Sequence, residues 1–123
     1  MKISEAESEV LEVFWKAEGP LTAEQVVETL ENGRDWSAGT IRTFLTRLTK
    51  KKALASKPDG RRYLYRPLIQ REDYVHAQSR KLLDRLFGGR ITPFITQFSE
   101  RQNLGKEEIE ELRRLVRRLD RER

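Results

Sequence analysis

The 123-residue chain is long enough for one modest hydrophobic core and a small additional segment. It contains no cysteine, which excludes structural disulfides, thiolate metal sites and cysteine catalysis. No run of residues approaches the ~18 consecutive apolar positions of a membrane helix, and the segment after Met1 is acidic and amphipathic rather than basic and apolar. We therefore expect a cytoplasmic protein.

The net charge of +5 is unevenly distributed along the chain. Residues 1–33 carry two Lys against eight Glu, a net charge of −6, whereas residues 34–71 carry eleven Lys or Arg against two Asp, a net charge of +9. A basic block of this kind is typical of a surface that binds a polyanion such as nucleic acid. A solvated basic face that only keeps the protein soluble has the same composition, so charge alone leaves both interpretations open.

The acidic first segment predicts two short helices. The first begins at Ser4, which forms a capping-box pattern with Glu7, and the second begins at Thr22, which forms the same pattern with Gln25. The Asn32-Gly33 pair ends the second helix. Apolar residues spaced by three and four predict the buried faces of both helices: Val10, Val13, Phe14, Val26, Val27 and Leu30. Trp15 is expected on the buried side of the first helix.

The basic block predicts a third helix followed by a β-hairpin. Ser37 caps the helix, whose buried face consists of Ile41, Phe44, Leu45 and Leu48. The pattern then changes to alternation on either side of a Pro58-Asp59-Gly60 turn, which predicts strands over residues 54–57 and 61–67. Three helices followed by a basic hairpin is the order of a winged helix-turn-helix domain. We therefore expect a mainly α fold with a small β-wing.

The outer face of the third helix carries side chains suited to reading DNA. An α-helix fits the major groove, where Arg can address guanine through two acceptors and Thr can contact thymine. The predicted DNA-binding residues of this helix region are Trp36, Ser37, Thr40, Arg42, Thr43, Thr46, Arg47, Lys50 and Lys51. Those of the wing are Lys57, Arg61 and Arg62, which are expected at the phosphates or in an adjacent minor groove, and Tyr63. Tyr63 can donate to a phosphate, although packing of its ring on the sheet is the favoured role. Spacing does not separate base contacts from phosphate contacts.

The C-terminal half predicts a helical arm that lacks a closed core. Its apolar stripes are interrupted at Gly88-Gly89, and a last helix begins near Lys106. Such an arm buries its stripes against a second copy of the chain or folds back on the N-terminal core, and we expect the homodimer. We place the winged-helix domain at residues 1–70 and a helical dimerisation region at residues 71–123. The predicted interface residues are Leu82, Leu86, Ile91, Phe94, Ile95, Phe98, Ile109, Leu112, Val116 and Leu119.

The run DWSAGTIRTFLTRL at residues 35–48, followed by three lysines at 50–52, resembles the recognition-helix region of the BlaI/MecI/CopY family of repressors. The likeness extends to SEAE at 4–7, VFW at 13–15, FGG at 87–89 and EEIEELR at 107–113, and so covers nearly the whole chain. It implies a dimer with N-terminal winged-helix domains and a helical dimerisation region. It also implies repression of β-lactamase, penicillin-binding-protein or copper-transport operons through palindromic operator DNA.

The resemblance also bears on how repression is relieved. Penicillin-responsive members of this family are cleaved at an Asn-Phe bond in response to a membrane sensor protease. The matching position here is Gln97-Phe98, which retains the Phe but not the Asn, and this departure argues against the same cleavage. Copper-responsive members carry a C-terminal cysteine cluster, which this chain does not have.

Other functions fit the sequence less well. His76 is the only histidine, so the usual zinc sites are excluded, and no nucleophile motif is present. We expect no enzyme activity, no cofactor, no metal and no small-molecule substrate. A winged helix used for protein contact would lack base-reading side chains on its third helix. A DNA-binding protein of low sequence specificity, or a regulator of a different signal, stays open because charge alone supplies nonspecific affinity.

Overall fold

The computed structural model describes residues 2–101 and 103–123. The described chain is mainly helical, with one small antiparallel sheet. Its elements, in chain order, are α1 (Glu5–Lys16), β1 (Leu21–Thr22), α2 (Ala23–Glu31), α3 (Ala38–Lys50), β2 (Leu54–Asp59), β3 (Arg62–Pro67), α4 (Arg71–Phe87), α5 (Ile91–Arg101) and α6 (Lys106–Arg121). The mainly α class with a small β-wing is thereby confirmed.

Two compact units make up the chain, and they divide after His76. The division lies farther along the chain than residue 70 because the start of α4 belongs to the first unit. The Trp15 indole N–H donates to the carbonyl of Ile69 at 3.0 Å, and the Trp15 ring lies 5.6 Å from the ring of Tyr74. Trp15 is half-buried rather than fully buried, and it holds the segment before α4 to α1.

The first three helices begin where the sequence predicts. The cap hydroxyl of each helix accepts a hydrogen bond from the backbone N–H three residues further on, in the pairs Ser4–Glu7, Thr22–Gln25 and Ser37–Thr40. In α1 and α2 the third residue reaches back to the cap N–H and completes a capping box. Each such cap contributes about 1 kcal/mol to helix stability.

The hydrophobic core of the first unit is formed by α1, α2, one face of α3 and the start of β2. Phe44 and Val13, which were expected in the core, are only partly buried at its margin. Phe44 packs edge-on against the Trp36 ring, with the ring centres 5.2 Å apart. The buried apolar residues include Val10, Leu11, Phe14, Val26, Leu30, Ile41, Leu45, Leu48 and Leu54.

The sheet has the strand order β1-β3-β2, so β2 lies at an edge. The predicted turn was too long, because Pro58 and Asp59 continue β2 and pair with Tyr63 and Arg62. The chain reverses over residues 60 and 61, where Gly60 has a φ of +67°. A tight hairpin turn requires such a positive φ at its first central position, which favours glycine. The two-residue strand β1 was not predicted.

α3 ends in a left-handed residue that is not a glycine. Lys52 has a φ of +64°. The N–H of Ala53 donates to the carbonyl of Leu48 at 2.9 Å, and the N–H of Lys52 donates to that of Thr49 at 3.1 Å. These two bonds form a Schellman motif, in which glycine is the usual residue at the position of Lys52. The motif turns the chain from α3 into β2.

A buried ion pair connects the end of α3 to the start of α1. The Lys51 ammonium donates to Glu7 Oε1 at 2.6 Å and to the carbonyl of Lys2 at 2.7 Å. Glu7 is only 1% exposed, and its Oε1 also accepts from the N–H of Ser4 at 2.8 Å. A buried carboxylate requires such partners, because an unpaired charge inside a protein is costly. The ammonium of Lys51 is therefore engaged in hydrogen bonds within the first unit.

The second unit, Ala77–Arg123, has little interior of its own. None of the residues described in α4, α5 and α6 is fully buried. It contains a row of edge-on aromatic rings, with centre-to-centre distances of 5.5 Å from Phe87 to Phe94 and 5.1 Å from Phe94 to Phe98. Gly88 and Gly89, both with positive φ, separate α4 from α5 as the sequence predicts.

Replacing Lys51 with Met tests the buried pair. Because the substitution leaves the Glu7 carboxylate buried without its cation, we expect the free energy of unfolding to fall by about 2 kcal/mol. This is less than for a fully buried pair, since the Lys51 side chain is 32% exposed. Chemical denaturation measures the change. Lys50→Met, at the exposed neighbouring lysine, is the matched control, and the double variant Glu7→Gln/Lys51→Met should be more stable than Lys51→Met. Equal effects of Lys50→Met and Lys51→Met would contradict this role.

The same pair predicts a dependence of stability on pH. Burial raises the pKa of the Glu7 carboxyl, but hydrogen bonds from Lys51 and Ser4 outweigh burial and leave the pKa below its usual 4.5. The ionised carboxylate therefore contributes stability that is present above about pH 4.5 and is lost as the pH falls through the folded-state pKa. Below about pH 4.5 the unfolding free energy of the wild type should decline more steeply than that of Glu7→Gln. Denaturation curves at several pH values would refute this if the two declines were parallel.

Candidate nucleic-acid interface

α3 presents one buried and one polar face. Ile41, Leu45 and Leu48 are fully buried in the core, which turns the opposite side of the helix to solvent. The exposed side carries five of the predicted contact residues: Arg42, Thr43, Thr46, Arg47 and Lys50. The core thus fixes the rotation of α3 about its axis and with it the direction of these side chains.

Two threonines on this face have their hydroxyl protons engaged within the helix. Thr43 Oγ1 donates to the carbonyl of Gly39 at 3.0 Å, and Thr46 Oγ1 donates to the carbonyl of Arg42 at 3.1 Å. A hydroxyl that donates in this way retains lone pairs that can accept a hydrogen bond. Thr43 and Thr46 therefore offer a methyl group and an acceptor, which suits the thymine methyl and base amino groups.

Arg42 lies where α3, α2 and the wing meet. Its Nη2 donates to Glu24 Oε1, in the first turn of α2, at 3.1 Å. A recess of about 160 Å³ is lined by both residues together with Arg61, Arg62 and Tyr63. A hydrogen bond from its own backbone N–H and the guanidinium of Arg42 lower the pKa of the Glu24 carboxyl. The structure thereby brings α3 and the tip of the hairpin to one surface.

The hairpin carries the other predicted cations. Lys57, Arg61 and Arg62 are exposed, and the Tyr63 side chain is 54% exposed. Arg62 Nε lies 3.4 Å from Asp59 Oδ2 across the turn. An exposed ion pair of this length is weak, so Arg62 can exchange its partner for a phosphate.

Three predicted residues at the start of α3 have structural roles in the free protein. Ser37 caps the helix, and its Oγ lies 3.1 Å from Thr40 Oγ1. Trp36 is half-buried between Phe44 and the guanidinium of Arg34, which lies 5.9 Å from the centre of the ring. The Trp36 ring is therefore packed against the core of the first unit.

Lys51 does not lie free on this surface, because its ammonium is bonded to Glu7. Sequence reasoning missed this pair, since its two residues are far apart in the chain. It also missed Glu24, which belongs to the acidic first segment and yet lies beside Arg42. The available signal was the position of Glu24 two residues after the Thr22 cap, since the first turn of the second helix of a helix-turn-helix lies next to the third helix.

The second unit displays the residues predicted for a dimer interface. All ten are at least partly exposed, and Val116 and Ile91 are 56% and 60% exposed. An apolar groove of about 480 Å³ lies between α5 and α6, lined by Ile91, Phe94, Ile95, Phe98, Leu104 and Leu112 with Glu108. The Gln97-Phe98 bond lies inside α5, with both side chains exposed.

Other classes of site receive no support in the part of the chain that the structure describes. Over residues 2–101 and 103–123, His, Asp and Glu form no group of three or more that could hold a metal ion. His76 is exposed on α4. Among the described helices, none combines the length and the apolar character needed to cross a bilayer.

One protein-family model matches nearly the whole chain. The model described as penicillinase repressor matches residues 3–118 of this chain. The chain belongs to the penicillinase repressor family. A penicillinase repressor from Bacillus licheniformis is 36% identical over 115 residues, covering 94% of this chain and 89% of that protein. The methicillin resistance regulatory protein MecI of Mammaliicoccus sciuri is 33% identical over 115 residues, covering 94% and 93%.

Solved structures of the same family match more than half of the chain. The solution structure of the DNA-binding domain of the repressor BlaI is 41% identical, with a TM-score of 0.54, and the match covers 59% of this chain and 88% of that one. The monomeric form of Bacillus licheniformis BlaI, solved in complex with the blaP half-operator, is 40% identical, with a TM-score of 0.53 and coverage of 60% and 89%. The winged-helix architecture of this family member is thereby confirmed.

Proposed function

We propose that this chain is a sequence-specific transcriptional repressor that binds palindromic operator DNA as a homodimer. The observation that carries the proposal is the polar face of α3, which the core holds outward beside a cationic hairpin. Membership of the penicillinase repressor family supports it, as does a half-operator complex of a protein 40% identical to this one. Such a repressor acts where the chromosome lies, which in a bacterium is the cytoplasm.

The side chains divide between two kinds of DNA contact. Arg42, Thr43, Thr46 and Arg47 lie on the outer face of α3 and contact base edges in the major groove. Lys50, at the end of that helix, and the wing residues Lys57, Arg61, Arg62 and Tyr63 contact phosphates or an adjacent minor groove. Ser37 and Thr40 approach the backbone near the N-terminus of α3, where a helix favours an anion. Trp36 positions this end of the helix.

The charges support binding by counterion release at the phosphates. Every cation that neutralises a phosphate adds about 0.9 to the slope of log affinity against log salt. In contrast, base contacts change the ratio of the affinity for the preferred sequence to the affinity for random DNA. The two kinds of residue are therefore distinguishable by measurement.

A pair of alanine variants, Arg47→Ala and Lys57→Ala, tests the division. Both residues are exposed, one on α3 and one on the wing. We expect Arg47→Ala to cost about 1–3 kcal/mol on the preferred duplex and much less on random DNA. Lys57→Ala should weaken binding to both and reduce the salt slope by about 0.9. Fluorescence anisotropy across a salt series measures both effects. Equal losses on both duplexes for Arg47→Ala would show that Arg47 does not read bases.

The second unit supports homodimerisation. Its groove and its apolar residues are exposed in the single chain, and monomers rarely leave contiguous apolar surface uncovered. Two joined winged-helix units bind two half-sites of one operator, so the second contact becomes intramolecular and the overall affinity rises. The symmetry of a palindrome then reflects the two-fold symmetry of the dimer.

A charged substitution at Val116 tests the interface. Val116 is more than half exposed in the single chain, so Val116→Glu leaves the monomer intact but places a carboxylate in the apolar contact. We expect dissociation of the dimer and a drop in operator affinity of about 10²-fold or more through lost bivalency. Sedimentation velocity gives the oligomeric state. Arg114→Glu, at an exposed position of the same helix, should leave the dimer intact; a dimer that survives Val116→Glu would exclude this interface.

We infer that the chain catalyses no reaction and needs no cofactor. Gln97-Phe98 differs from the Asn-Phe pair that is cleaved in the penicillin-responsive members, which argues against the same cleavage here. A peptide bond inside a helix such as α5 must also unwind locally before a protease can accept it.

A further inference from the structure

An acidic residue lies within the proposed DNA-binding surface. Glu24 Oε1 accepts a hydrogen bond from Arg42 Nη2 at 3.1 Å, and the Glu24 and Arg42 side chains are 61% and 50% exposed. The same recess holds Arg61 and Arg62 of the wing. A carboxylate at this place repels DNA phosphates and weakens binding that depends on charge alone.

Stability does not account for the Glu24–Arg42 pair. Exposed ion pairs contribute little to the free energy of folding, because solvent screens the charges and ordering two long side chains costs entropy. α2 already has its own N-terminal cap in Thr22, which accepts from the N–H of Gln25. The pair therefore calls for an explanation at the surface that it occupies.

The geometry of the Arg42 guanidinium supplies an explanation for the pair. Arginine has five N–H donors in a rigid fork, and guanine requires two of them. Glu24 occupies only Nη2 of Arg42, so the Nε and Nη1 donors stay available. An acceptor on one side of the fork limits the rotamers of Arg42 before DNA arrives, and a preorganised side chain loses less freedom on binding.

We propose that Glu24 is a positioning residue that sets sequence specificity by orienting Arg42 toward a base and by opposing its diversion to phosphates. This inference rests on the proposed function. The Glu24 carboxylate lowers the affinity for random DNA, on which Arg42 would otherwise contact the phosphates of the DNA backbone. On the preferred sequence, the orientation of Arg42 compensates for that penalty.

The test uses the full-length protein and two duplexes of equal length. One is the sequence that the wild type enriches from a randomised duplex library, and the other is a scrambled version of it. Glu24→Gln removes the charge with almost no change of shape. Glu28→Gln, one turn further along α2 at another exposed carboxylate, is the matched control. Thermal unfolding of each variant checks that the fold is intact.

With Glu24→Gln we expect about threefold tighter binding to the scrambled duplex and no gain on the enriched duplex, so that preference falls about threefold. The salt slope on scrambled DNA should steepen by up to about 0.9. Glu28→Gln should leave the preference unchanged. In the Arg42→Ala background, Glu24→Gln should no longer alter the preference, because its effect on specificity acts through Arg42.

Each contrary outcome has its own meaning. An equal change on both duplexes with Glu24→Gln would make Glu24 a general surface charge and overturn the inference. The inference also fails if the preference falls equally in the Arg42→Ala background, or if Glu28→Gln reproduces the effect. Failure of the wild type to enrich any sequence would instead overturn the proposed function, and the inference with it.

Discussion

The burial of one face of α3 is the constraint on which the rest of the first unit depends. Ile41, Leu45 and Leu48 have no exposure beyond 1%, so the helix cannot rotate about its axis without bringing apolar surface into water. The same constraint fixes the direction of the polar face. The Glu7–Lys51 pair and the left-handed Lys52 then hold its C-terminal end and direct the chain into the wing. Orientation of the contact residues is therefore a property of the core.

Several cations in the basic middle segment of this unit already have acidic partners. Of the cations in the basic block, Lys51 is committed to a buried carboxylate, and Arg42 and Arg62 have acidic neighbours in the free protein. The weak Asp59–Arg62 pair can be exchanged for a phosphate, whereas the buried Glu7–Lys51 pair is not. The number of cations available to DNA is therefore smaller than the sequence total, and binding draws on position as much as on charge.

What could be predicted from the sequence was local. The three cap residues and the buried face of α3 follow from spacing within one helix, because capping and amphipathic burial involve residues three or four apart. The features missed join distant segments: Glu7 with Lys51, Glu24 with Arg42, and β1 with β3. The hairpin turn was misplaced because Pro58 indicates a turn locally, although an edge strand accommodates a proline. The predicted contact residues of α3 from Arg42 onward are exposed, except Lys51, but the partners of Arg42 and Lys51 were not foreseen.

The position of β2 at the edge of the sheet has a consequence for how copies of the chain associate. A free edge strand is a template for another strand, and proteins protect such edges with lysine and proline. β2 carries Lys57 and Pro58, and β1, at the opposite edge, is only two residues long. Strand-to-strand aggregation through the wing is thereby disfavoured. A protein that exposes so much apolar surface on its helices can then self-associate without its sheet seeding a fibril.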